Sequence, residues 1–137
     1  MITAVDTNVL LDALTGDPRY GDAALDHLEV AAQRGTLVAC EVVLAELAAQ
    51  FPDAPSVRAV LGQLGVAMVP MGEPAALAAG FAWGEYRRRG GPRTQLVADF
   101  LVGAHAKHHA DALLSRDRGF IRSYFPELRL IDPSFTP

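Results

Sequence analysis

A chain of 137 residues fits one domain and is long enough to bury a core. Half of the residues are hydrophobic, a fifth are charged and the formal net charge is −4. This is an ordinary globular balance, and as a whole-molecule average it argues against a nucleic-acid partner. No apolar run approaches the roughly 20 residues that a membrane span needs, and the single cysteine, Cys40, excludes an internal disulfide and reads as a small buried hydrophobe.

The opening Met1-Ile2-Thr3-Ala4-Val5-Asp6 lacks the basic residues of a secretory signal, so a cytoplasmic location is expected, with no membrane partner. Ile2 to Val5 is a short apolar strand. Thr7 is placed to cap the helix that follows, whose apolar face is Val9-Leu10-Leu11 and Leu14, before Gly16-Asp17-Pro18 breaks it. Tyr20 to Arg34 reads as a second helix stopped by Gly35, and Thr36 to Ala39 as a buried strand. Glu41 to Phe51 returns to helix and ends at Pro52. A further helix starts near Pro55-Ser56 and closes at Gly65, ahead of the strand Val66 to Val69. Pro74 to Arg89 is a long alanine-rich helix stopped by Gly90-Gly91-Pro92, and Val97 to Ala110 is helical. Ala112-Leu113-Leu114 forms a fourth strand, Phe120 to Tyr124 a short turn, and Leu128 to Ile131 a fifth strand. Short apolar strands alternating with helices predict an α/β sandwich with a central parallel sheet flanked by helices, as a single unit over 1–137. Ligands bind such sheets beyond the carboxyl ends of the strands. Asp6 follows the first strand directly and Asp117 lies three residues past Leu114, so both point to one rim.

Four acids stand in apolar surroundings. Asp6 either caps the next helix or faces a site at the strand ends. Glu46 sits in Val42-Val43-Leu44-Ala45-Glu46-Leu47-Ala48-Ala49, either on the solvent face or aimed at a polar pocket, and periodicity does not choose. Asp99, in Leu96-Val97-Ala98-Asp99-Phe100, also suits the positive end of its helix, and Asp117, between Arg116 and Arg118, also suits a surface ion pair. Taken jointly the four have one explanation. Like charges about 4 Å apart repel by roughly 4 kcal/mol per pair at an effective dielectric near 20. A hard divalent cation relieves that repulsion, and carboxylates without cysteine or histidine ligands suit magnesium or manganese rather than zinc. Two such ions together can drive phosphodiester hydrolysis with no general-base histidine.

The stretches Val5-Asp6-Thr7-Asn8-Val9-Leu10-Leu11, Val43-Leu44-Ala45-Glu46-Leu47, Val97 through Ala106, and Ala112 through Phe120 resemble, in order, the motifs of PIN-domain proteins of the VapC type. That family is the toxin half of bacterial toxin–antitoxin pairs. The resemblance implies a PIN-like three-layer sandwich and metal-dependent endonucleolytic cleavage of RNA. It places Asp6, Glu46, Asp99 and Asp117 on the catalytic and metal-binding positions, with Mg2+ or Mn2+ as cofactor, and Asn8 and Ser115 as supporting polar residues. It also implies a homodimer inhibited by a VapB-like antitoxin. Phe100 and the Phe51-Pro52 helix exit depart from the family's usual pattern.

Tyr86-Arg87-Arg88-Arg89, with Arg93 across the glycine loop and Arg116 near the last acid, form a candidate grip on RNA phosphates; the other reading is a solvated helix end. His105, His108 and His109 lack the partners of a zinc site and are expected to be surface or packing residues. Trp83, with Phe81 and Tyr86, is expected in core or dimer packing rather than stacked on bases. A phosphotransfer aspartate would want a nearby lysine, and the one lysine, Lys107, sits on a helix surface. The remaining alternative is a catalytically silent module that keeps the fold for binding or dimerisation.

Overall fold

The strands are three- or four-residue runs of mostly aliphatic side chains, too short to be helices. In the computed structural model, which describes residues 1–92, 96–117 and 119–137, they are β1 (Ile2–Val5), β2 (Thr36–Ala39), β3 (Val66–Met68), β4 (Ala112–Leu114) and β5 (Arg129–Ile131). They form one parallel sheet in the order β3-β2-β1-β4-β5. The three inner strands bury nearly every residue, whereas β3 and β5 are edges and are more exposed.

Seven helices among the described residues complete an α/β three-layer sandwich. They are α1 (Thr7–Thr15), α2 (Gly21–Arg34), α3 (Glu41–Ala48), α4 (Ala54–Leu64), α5 (Glu73–Arg88), α6 (Val97–His109) and α7 (Gly119–Tyr124). Val5, Val9, Leu10, Leu37, Leu47, Leu113 and Leu114 are all at most 1% exposed and form the centre of the core. Each such side chain contributes about 1.5–3 kcal/mol by leaving water.

The element boundaries expected from the sequence differ in three informative places. α3 ends at Ala48 rather than Phe51, because the chain tightens there: the Gln50 and Phe51 N–H groups donate to the Leu47 and Ala48 carbonyls, three residues back instead of four. The segment expected as a turn near 120–124 is the short helix α7, held by burial of Ile121 and Phe125 against α6 rather than by its own periodicity. The cap of α1 is Asp6, not Thr7: the Asp6 side chain accepts from the Thr7 N–H.

An aromatic cluster joins α5, α6 and α7. Tyr86 and Phe100 have ring centroids 5.4 Å apart, Phe100 and Tyr124 also 5.4 Å, and Phe100 and Phe125 6.5 Å. Phe125 fits against α6 only because residue 103 is glycine; a Cβ there would stand 2.6 Å from the Phe125 ring. The cluster seats the amino-terminal half of α6, which carries Asp99.

Candidate functional site

From β1 the chain proceeds outward through β2 and β3 on one side, and β4 and β5 lie on the other. The reversal between β1 and β4 is the switch point, where the loops beyond the strand ends diverge and leave a crevice. Asp6 emerges there: its N–H donates to the Leu114 carbonyl at 3.0 Å, as the final rung between the two strands.

The Asp6 carboxylate is held by two donors. Oδ1 accepts the Thr7 N–H at 2.7 Å, and Oδ2 accepts the Ser115 hydroxyl at 2.8 Å. Ser115 is fully buried, and its Oγ accepts in turn the Asp117 N–H at 3.0 Å. One serine therefore links the acid after β1 to the acid after β4. The Thr7 hydroxyl, released from capping, donates to Glu46 Oε1 at 2.9 Å, across 39 residues of sequence. Glu46 is exposed on α3. Asp99, in the first turn of α6, accepts the Leu96 N–H on Oδ2 at 2.9 Å, which caps its own helix. The dipole reading of Asp99 and its place at the site are thus compatible, as are capping and clustering for Asp6.

Electrostatics tie the four together. Burial first, and then the charges of Glu46 and Asp99, push the Asp6 carboxyl up to about 6, against the lowering effect of its Ser115 and Thr7 hydrogen bonds. Burial and the Asp99 charge raise Asp117 as well. Asp6 thus feels Glu46 and Asp99, and Asp117 feels Asp99. As the side chains stand, no three Asp, Glu, His or Cys residues among the described residues are grouped tightly enough to hold a metal ion. Glu46 and Asp99 each give an oxygen to a protein donor, and mutual repulsion opposes closer approach. In chemistry the donor set, four carboxylates with hydroxyls behind them, fits a hard divalent cation.

The other candidates fall into place around this centre. Asn8 Oδ1 accepts the Arg116 N–H at 3.3 Å, so it steadies the loop after β4. The Arg116 guanidinium does not pair with Asp117. It forks onto Asp12, with Nε 2.6 Å from Oδ2 and a terminal nitrogen 3.2 Å from Oδ1, and its carbon lies 4.2 Å from the Tyr20 ring centre. The fork engages two of its three guanidinium nitrogens within the protein. Arg87, Arg88 and Arg89 are exposed at the end of α5. Arg89 pairs with Glu85 at 2.5 Å, and Arg87 lies 5.1 Å from the half-buried Trp83 ring. Arg93 lies outside the described residues.

His105 and His109 are packing residues: their Nε2 atoms bond the carbonyls of Val69 at 2.9 Å and Met71 at 2.7 Å, tying α6 to the segment after β3. Cys40 is buried, as expected. Sequence reasoning missed the hydroxyl of Thr7 as a partner for Glu46, and Asp12 and Tyr20 as partners of Arg116. Asp12 carried a signal, a carboxylate inside Val9-Leu10-Leu11-Asp12-Ala13-Leu14 and one turn from Asn8. Tyr20 carried none.

The family model for the PIN domain matches residues 3–126. Among solved structures, the chain is similar to VapBC2 from Rickettsia felis bound to a DNA fragment from their promoter. That match has 21% identity and a TM-score of 0.72, covering 96% of this chain and 98% of that one. VapBC-1 from nontypeable Haemophilus influenzae gives 21% identity and a TM-score of 0.71, over 98% of this chain and 100% of that one. FitAcB from Neisseria gonorrhoeae gives 21% and 0.68, over 97% and 98%. A comparison with curated proteins finds no match. At these identities the structural likeness is one of fold, while the family model spans most of the sequence and the whole acidic rim: the chain belongs to the PIN domain family.

Proposed function

We propose that this protein is the toxin of a VapBC-type pair and acts as a Mg2+- or Mn2+-dependent endoribonuclease. The observation that carries the reading is Asp6, a half-buried carboxylate at the sheet's switch point, joined through Ser115 to the backbone of Asp117 and close enough to Glu46 and Asp99 for their charges to help push its carboxyl up to about 6. Folding alone would select against that arrangement, since an apolar or neutral residue would remove the repulsion. Solved relatives named as VapBC and FitAB complexes support a cognate VapB-like antitoxin as partner.

In this reading Asp6, Glu46, Asp99 and Asp117 hold the ion or ions, with exposed Glu46 and half-buried Asp99 turning inward from their present hydrogen bonds. When bound, the cation supplies Lewis-acid stabilisation of phosphodiester oxygens and lowers the pKa of water. The chain's own residues do the positioning. Ser115 fixes the Asp6 carboxylate and the Asp117 backbone at once, and Thr7 orients Glu46. Arg87, Arg88 and Arg89, with Arg93 beyond them in sequence, supply cations for the RNA backbone on a chain that is otherwise acidic. Among the described residues no helix is long and apolar enough to cross a membrane. The proposed toxin acts as a homodimer in the cytoplasm.

Cleavage of a structured RNA with Mg2+ or Mn2+ tests the reading. The wild-type chain is expected to cut, and Asp6→Asn and Asp99→Asn each to lose at least about a hundredfold in rate. Equal cleavage by wild type and both variants would remove the acids from the chemistry. An inert wild type under all metals would leave a silent PIN-fold binding module.

A further inference from the structure

Helix α1 holds the loop of Asp117 at three points. Asp6, at its cap, takes the Ser115 hydroxyl at 2.8 Å; Asn8 takes the Arg116 N–H at 3.3 Å; and Asp12 takes the Arg116 guanidinium in a two-bond fork at 2.6 and 3.2 Å. Asn8 and Asp12 are four residues apart and so stand one above the other on a single helix face. Tyr20, at the start of α2, covers the guanidinium from another side, with its ring centre 4.2 Å away. Asp12 is only 6% exposed. A forked arginine–carboxylate pair with a buried carboxylate fixes both distance and orientation, unlike a single exposed ion pair.

The loop needs such support. Its ladder bonds end with the Ser115 N–H on the Ile131 carbonyl at 3.1 Å. Among the described residues, the N–H groups of Arg116 and Asp117 donate only to Asn8 Oδ1 and Ser115 Oγ. Because α1 also begins at Asp6, a rigid helix relates the acid after β1 to the acid after β4.

We propose that Asp12 is a positioning residue: by locking Arg116 against Tyr20 it sets where the Asp117 carboxylate stands relative to Asp6. The effect on catalysis rests on the metal-nuclease reading above, whereas the clamp itself does not. Side chains that orient a metal site from behind typically change metal affinity or activity 10- to 100-fold when removed.

The test uses the full chain as wild type, Asp12→Ala, Arg116→Ala and the double variant. Amide hydrogen exchange in EDTA reads the clamp directly. The Arg116 and Asp117 amides are expected to exchange at least about tenfold faster in Asp12→Ala, while those of Val5 and Leu10 keep their rates. Mn2+ titration and RNA kinetics read the consequence. Each single variant is expected to lose about 10- to 100-fold in Mn2+ affinity and in kcat with KM nearly unchanged, and the double variant to lose no more than the worse single, since both act through one interaction. Unchanged exchange at Arg116 and Asp117 overturns the clamp. Intact Mn2+ affinity with a raised KM in Arg116→Ala alone also overturns it, since Arg116 would then bind RNA itself. Should Asp12→Ala fail to fold, Arg116→Lys, which keeps the charge and loses the fork, carries the same exchange test. A wild type that neither takes up Mn2+ nor cuts RNA sinks the nuclease reading, and the exchange data then judge the clamp alone.

Discussion

Asp6 is stabilised and destabilised by the same fold. Ser115 and Thr7 donate to it, yet burial and the neighbouring charges of Glu46 and Asp99 outweigh those bonds and leave its carboxyl at about 6. An acid whose folded pKa lies above its unfolded value of about 3.9 binds more protons in the native state between those limits. Its ionisation therefore opposes folding. Stability should fall as pH rises from about 4 to about 6, by on the order of 3 kcal/mol from this residue, and stay lower above that. Chemical denaturation in EDTA across this range checks the slope. At pH 7.5 in EDTA, Asp6→Asn should be more stable than wild type by about 1–2 kcal/mol, the usual trade at a site built for function rather than stability. Mn2+ should raise the melting temperature of wild type and leave that of Asp6→Asn nearly unchanged. A variant less stable than wild type in EDTA would mean that its lost hydrogen bonds outweigh the repulsion. The cap and the place at the strand-end rim were both legible in the sequence; that one carboxylate caps the helix and also takes the Ser115 hydroxyl was not, because Ser115 lies 109 residues away.

Helix α6 shows how an element is placed by partners outside it. Its mid-point glycine, Gly103, receives the Phe125 ring, and Phe100 meets Tyr86 at a tilt and Tyr124 edge-on. Gly103→Ala gains helix propensity worth about 1 kcal/mol but forces a methyl group to within 2.6 Å of a ring that is only 3% exposed. Overpacking of that kind costs about 1–3 kcal/mol, so a net loss of about 1–2 kcal/mol is expected, read as a lower urea midpoint. α6 was legible in the sequence as Val97 to Ala110, one residue longer than the helix itself, whereas α7 was not. Six residues offer too little pattern, and what makes them helical is the surface of α6 beneath them.

At the scale of the whole molecule, a chain of net charge −4 that acts on RNA, as proposed above, would have to approach it through local charge. Arg87, Arg88 and Arg89 stand exposed at the end of α5, the helix that packs against α6 and its Asp99. Replacing all three with glutamine should weaken RNA binding and flatten its salt dependence by about one unit of slope for each phosphate no longer neutralised, with Mn2+ affinity and folding stability unchanged. Unchanged affinity at low salt would exclude this patch from the substrate path. The sequence by itself determined the parallel α/β layers, since strand length, helix spacing and glycine or proline breaks are local properties of the chain. It also brought Asp6 and Asp117 to one rim, because parallel strands must send their carboxyl ends the same way. Tertiary structure alone decided that β1 and β4 are neighbours, that Thr7 serves Glu46, and that Arg116 turns to Asp12 rather than to Asp117. Those partners lie 39 to 109 residues apart, and a side chain's partner is set by distance and desolvation in the fold, which no local pattern encodes.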